Sequence, residues 1–212
     1  MPYYICLYFC IKVNIMNYSI YAESTPNPEV MKFVANRMLA DKSIEASTLQ
    51  EAKGISIAEE LLKFPFVKSI YLSSNFISIT KTDSIQWEDI AMQLRIFIAD
   101  HLNSNDVKNY TDHLKSENSV ETKNPESKEK TVREFNDDEK EVEAILDQYI
   151  KPAVEGDGGA ITLNYYKDNI VCVDLKGACS GCPSATSTLK GGIESLLKQK
   201  LNPDIVVIAN EE

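Results

Sequence analysis

Between Asn103 and Glu134 the chain reads NSNDVKNYTDHLKSENSVETKNPESKEKTVRE, a run dominated by charged side chains of both signs and by amides. No apolar period passes through it. A segment so composed cannot bury enough surface to offset the entropy of ordering it. Residues 104–134 are therefore expected to be a flexible linker, and a chain of 212 residues becomes two small domains, 16–103 and 135–212, rather than one large one. A flexible segment of about 30 residues has an end-to-end distance of about 30 Å, so the flanking domains are expected to reorient freely.

Ahead of the first domain, MPYYICLYFCIKVNI carries a single charge, Lys12. It lacks the charged start and the small-residue cleavage site of a secretory signal. It is too short for a bilayer span, which needs about 20 apolar residues, and it is not Arg-rich like a transit peptide. Met16 opens MNYSIYAESTPNP, which reads as a natural start. Residues 1–15 are expected to be an upstream extension of the reading frame, with a strand or hydrophobic N-terminal arm as the alternative, and Cys6 and Cys10 receive no function.

The first domain mixes strands and helices. Tyr18–Ala22 reads as a strand, and Pro26 and Pro28 put a turn in TPNP. In EVMKFVANRML the alternation of Met31, Phe33 and Ala35 favours a strand, although the segment is also compatible with a helix. SIAEELLKFP places Ile57, Ala58, Leu61 and Leu62 at helical spacing, with Ser56 as the candidate cap. FVKSIYLSSNFISITK reads as two strands about Ser73, Ser74 and Asn75. SIQWEDIAMQLRIFIADHL follows as an amphipathic helix, with Ile90, Leu94, Phe97, Ile98 and Leu102 on one face and Trp87 packed at its start. His101 stands alone near the helix end, where a solvated or capping role is expected. No catalytic constellation is visible here.

The second domain reads as helix, hairpin, loop, helix, strand. Val142, Ile145, Leu146, Tyr149 and Ile150 recur at helical spacing, and Pro152 is expected to end that helix. The acidic turn EGDGG leads into AITLNYY and NIVCVDLKG, strands joined at Lys167 and Asp168. GACSGCP is next, then a stripe of Leu189, Ile193, Leu196, Leu197 and Leu201, then the strand DIVVIA. A three-stranded sheet with two helices on one face buries these stripes most economically. The fold class is α+β.

The chemistry sits in GACSGCP. Five cysteines give no even disulfide framework, so a reducing, cytoplasmic setting fits best, where C-x-x-C binds metal or does redox work. A net charge of −10 argues against nucleic acid, which needs a basic footprint. Most of the acidic excess lies from Phe135 onward, which suits a metal cation or a basic protein partner. Cys179 leaves a strand and Cys182 opens a helix, where free N–H groups favour a thiolate, by about 0.3–1 kcal/mol from the dipole. Gly177 and Gly181 allow the backbone to approach a bulky ligand. A c-type haem would need His where Pro183 stands. Structural zinc needs four ligands, and this domain offers only Cys172 besides the pair and no histidine. Cys172 lies mid-strand and reads as a buried, inert thiol. A thioredoxin-like dithiol stays open, as does a chaperone for single metal ions. An iron–sulfur cluster needs four thiolates, which two chains meeting at their loops would supply.

DGGAITL followed by VDLKGACSGCPSATSTLKGGIESLLKQKL resembles the C-terminal domain of the NifU family. STPNPEVMKF with NFISITK and WEDI resembles the N-terminal domain of Nfu-type scaffold proteins. The likeness runs from Met16 to Ala209 apart from the linker. It implies a non-enzymatic scaffold or carrier that holds a [4Fe–4S] cluster, in preference to [2Fe–2S], between two subunits. The matching ligands are Cys179 and Cys182. It implies a homodimer joined by the cluster, an upstream scaffold as donor, apo iron–sulfur proteins as acceptors, and no membrane or nucleic-acid partner. The quoted motifs include no counterpart of the ferredoxin-like or catalytic scaffold domains of full-length NifU, so a carrier is expected rather than the primary assembly scaffold. A dithiol–disulfide oxidoreductase using the same pair is the alternative.

Overall fold

The computed structural model describes residues 17–104, 135–180 and 183–210. The expected extension 1–15 and linker 104–134 lie outside the described residues, apart from Ser104.

The N-terminal half is an antiparallel sheet of five strands in the order β1-β2-β5-β4-β3. The strands are β1 Ile20–Ser24, β2 Val30–Ala35, β3 Ala40–Ala46, β4 Val67–Ser74 and β5 Phe76–Lys81. Two helices, α1 Ser56–Leu61 and α2 Trp87–Asn103, share one core with this sheet. Ile90, Leu94, Ile98 and Leu102 project from α2 at helical spacing and meet Phe33, Ile70, Leu72, Ile77 and Ile79. The ambiguous EVMKFVANRML is a strand, and β4 turns into β5 through Ser74 at φ 47 and Asn75. β3 has no counterpart in the sequence reading. It is an edge strand with only its two end alanines buried and a register shift between Ala40 and Ile44. Ser56 is not the cap. Ile55 holds that position without a side-chain bond, and the Ser56 hydroxyl faces His101 Nε2 at 3.1 Å.

The C-terminal half is a three-stranded sheet in the order β6-β7-β8, with β6 Gly159–Lys167, β7 Ile170–Gly177 and β8 Val206–Asn210. β6 and β7 form a hairpin closed by Asp168 and Asn169, both at positive φ (51 and 62), as a tight two-residue turn requires. β8 runs parallel to β7, which needs a crossover. Helix α5, Pro183–Lys200, is that crossover.

The first helix of this half departs from expectation. Helix α3, Asp137–Ile145, runs into a π turn at Leu146–Ile150 and continues as α4, Lys151–Gly156. Pro152 therefore does not end it. A proline lacks the N–H and crowds the carbonyl one turn back, and the wider turn just before it accommodates both defects. At the other end Asn136 and Glu139 form a reciprocal capping box, with Asn136 Oδ1 accepting from Glu139 N at 2.8 Å and Glu139 Oε2 accepting from Asn136 N at 3.0 Å. The buried Glu139 also accepts from Tyr166 N at 3.2 Å, which ties the helix to β6.

Val142, Leu146, Val154, Ile161, Val171, Val173, Ile193 and Leu197 form the second core. The helices thus cover one face of the sheet, as the apolar stripes indicated, and the architecture is α+β. No described helix is long and apolar enough to cross a membrane.

Candidate functional site

The site begins where β6 starts and β7 ends. Gly159 and Gly177 are paired across the hairpin. Before Gly159, α4 stops at Gly156 and the chain turns through Gly158 at φ 82. After Gly177, at φ 62, the loop carries Ala178, Cys179 and Ser180 towards α5. The loop is pinned by its own backbone: Ala178 N donates to Gly158 O at 3.2 Å and Ser180 N to Gly177 O at 3.1 Å. Ser180 Oγ donates to Gly177 O at 2.8 Å, and Thr186 Oγ1 on α5 donates to Cys179 O at 3.3 Å.

Cys179 itself is buried and belongs to the core with Val171, Val173 and Ile193. Its sulfur lies over Gly159, where an added Cβ would stand 2.7 Å from Sγ. Burial pushes the thiol up to about 11, with the Asp157 carboxylate adding to the effect. At neutral pH the thiol is protonated, and a bound cation would have to displace that proton. Cys182 lies outside the described residues, as does Gly181.

Cys172 is buried in mid-strand, as expected, and it faces away from Cys179. Val171 and Val173 on β7 point into the helix-covered core, so Cys172 between them points to the opposite face. Burial raises its thiol first, with the Asp174 carboxylate adding to this and a Tyr165 hydrogen bond opposing it. Asp174 accepts from Asn164 Nδ2 at 3.1 Å and Asn210 Nδ2 at 3.2 Å. Among the described residues no group of three or more His, Cys, Asp or Glu side chains could hold a metal ion.

The role expected of Gly177 is different in the structure. A Cβ there would meet Gly158 O at 2.7 Å and Tyr71 Cδ1 at 2.8 Å. The close neighbour is the protein itself, and one of the two contacts comes from the N-terminal sheet. In that half His101 stacks on Phe97 with centroids 6.2 Å apart, and burial lowers its imidazole pKa. Trp87 Nε1 donates to Pro28 O at 3.0 Å.

Comparison with known proteins places two family models on the chain: "Scaffold protein Nfu/NifU N terminal" over residues 20–105 and "NifU-like domain" over residues 142–208. A human protein named NFU1 iron-sulfur cluster scaffold homolog, mitochondrial, is 28% identical over 185 residues, which cover 84% of this chain and 66% of that protein. NifU-like protein 4, mitochondrial, of Arabidopsis thaliana is 28% identical over 184 residues, covering 84% of this chain and 61% of that protein. The chain thus spans under two thirds of the length of these relatives. A solution structure of a NifU-like protein from Saccharomyces cerevisiae matches 41% of this chain and 79% of its own, at 23% identity and a TM-score of 0.34.

Proposed function

We propose, for a chain that belongs to the Nfu/NifU family of iron–sulfur cluster scaffold proteins, that it carries a [4Fe–4S] cluster as cargo between two copies of itself and passes it to apo-proteins. Each copy contributes Cys179 and Cys182. The observation that supports a shared site most strongly is the direction of Cys172. The third thiol of this half is on the opposite face of β7 from Cys179, so one half presents only its C-x-x-C pair while a cluster takes four thiolates. A cargo held by two loops can leave by thiol exchange with an acceptor. The entering thiolates belong to the acceptor and this chain supplies no general acid, base or attacking group in that reading, so the role is carriage rather than catalysis. An upstream scaffold supplies the cluster, and the setting is a reducing, cytoplasmic one.

Anaerobic reconstitution with iron and sulfide tests this. Wild type and Cys172→Ser are expected to gain iron, acid-labile sulfide and a brown chromophore, while Cys179→Ser and Cys182→Ser lose them. A colourless wild type that reduces protein disulfides would replace the carrier with a dithiol oxidoreductase. Bound metal without sulfide would replace it with a chaperone for single ions.

A further inference from the structure

The five-stranded sheet has a second face, and it is not open to solvent. Lys32 on β2, Tyr71 on β4, and Phe76 and Ser78 on β5 alternate with the residues that pack under α1 and α2, so they point the other way. All four are buried, Ser78 at 1% exposure and Lys32 at 8%. The C-terminal half covers them. Lys32 Nζ donates to the carbonyls of Glu155 and Gly156, both at 2.9 Å, at the end of α4 where carbonyls lack helical partners. Ser78 Oγ donates to Gly158 O at 2.6 Å. Asn27 Nδ2 donates to Ala178 O at 3.3 Å, and Gly177 N donates to Glu45 Oε1 at 3.3 Å.

These contacts converge on two backbone segments, the turn that leads to Gly159 beneath the Cys179 sulfur and the residues just before Cys179, and the glycines there fit the sheet closely. A Cβ at Gly158 would stand 2.7 Å from Ser78 Oγ, and one at Gly177 would stand 2.8 Å from the Tyr71 ring. The two halves are therefore docked, whatever freedom the intervening sequence allows. Meanwhile the Cys179 sulfur faces inward over Gly159. To reach a ligand shared with a second loop, it has to turn outward, and the backbone that carries it is the backbone the sheet holds at Ala178 and Gly177, with Gly158 bonded beneath.

We propose that the N-terminal sheet is an intramolecular latch on the cysteine loop: Asn27 and Glu45 hold Ala178 and Gly177 just before Cys179, Lys32 and Ser78 hold the turn that leads to Gly159 beneath its sulfur, and the grip is released when two loops share a cluster. This rests on the carrier reading above. It assigns the N-terminal sheet a ligand, the Gly-rich turn and loop of its own C-terminal half, and it leaves that polar face free for another partner only in the loaded form.

Lys32 provides the readout, because its amine is held in the docked form and freed by release. In the full-length apo chain, Asn27→Ala/Ser78→Ala is expected to raise the acylation rate of Lys32 about tenfold, as loss of two ordinary hydrogen bonds allows. Hydrogen exchange at Gly177 to Ser180 should quicken too, while β1–β5 and β6–β8 keep their protection. Each single variant should give a smaller change of the same kind. Unchanged Lys32 acylation and loop exchange would overturn the latch. In the second arm, wild type is loaded anaerobically with iron and sulfide, and Lys32 acylation is again expected to rise about tenfold. A loaded dimer in which Lys32 stays protected would overturn the latch and leave the carrier reading standing. Failure of wild type and variant alike to take up a cluster would bring down the carrier reading and the latch's role with it.

Discussion

Gly159→Ala perturbs the seat of Cys179 without replacing either proposed ligand. The new methyl would lie 2.7 Å from Cys179 Sγ, 3.1 Å from its Cβ and 2.7 Å from Lys176 O. The sulfur can swing aside; the carbonyl belongs to the neighbouring strand and cannot move without disturbing the pairing of Ala160 with Lys176. Overpacking of this kind costs about 1–3 kcal/mol, and the thiol is the softer of the two obstacles. Its displacement has a chemical signature. Burial and Asp157 carry the thiol from an ordinary 9.0 to about 11. At pH 8 the thiolate fraction therefore falls from about one in ten to about one in a thousand, and only the thiolate reacts. Release of the sulfur to solvent should raise its alkylation rate towards a hundredfold, and by at least about tenfold. The assay is timed alkylation at pH 8 of apo protein, with fragmentation of the peptide that carries Cys179 and Cys182 to assign the site. Ile193→Val, on the same core, is the control for lost stability, at about 0.5–1.5 kcal/mol. Wild-type reactivity should climb to pH values above 10, whereas the variant levels off near 9. The same raised value makes the buried thiol a source of stability below pH 9 that is lost as pH rises through about 11. If Gly159→Ala lowers the unfolding midpoint but leaves Cys179 as slow as in wild type, the sulfur does not sit where the structure puts it.

Other expectations follow from single contacts. Burial holds His101 below its ordinary 6.5 against the pull of Glu60, so the fold favours the neutral ring. That stability is present above pH 6.5 and lost as pH falls through the lowered folded value. Unfolding midpoints from pH 8 to 5 should therefore fall less steeply for His101→Gln; parallel slopes would contradict this. Glu139→Ala removes the acceptor for Asn136 N and Tyr166 N at a buried position, and should lower stability in urea by about 2–3 kcal/mol. Leu197→Ala in the second core should cost about 2–5 kcal/mol, read by the same denaturation.

The helical stripes were legible because they repeat: α2 and α5 stand where their leucines and isoleucines put them. The hairpins were legible from Ser74–Asn75 and from Asp168. β3 was not, because an edge strand buried only at its ends shows no alternation. Pro152 misled because a single π turn absorbs it, and no local pattern announces such a turn. The second face of the N-terminal sheet left a trace that is easy to pass over. FISITK is buried on both faces, a pattern that calls for a cover on each side, and the cover lies 80 residues on at Gly158. Of the two candidate ligands, the loop position of Cys179 could be read directly. Its inward direction could not, because it depends on Gly159 across the hairpin.

The mass of the loaded complex tests the shared cluster most directly. Wild-type chain, reconstituted without oxygen and then freed of small thiols, is expected in native mass spectrometry as two chains with about four irons and four sulfides, and as single chains once the iron is chelated. A single chain that keeps a complete cluster under those conditions would contradict the account.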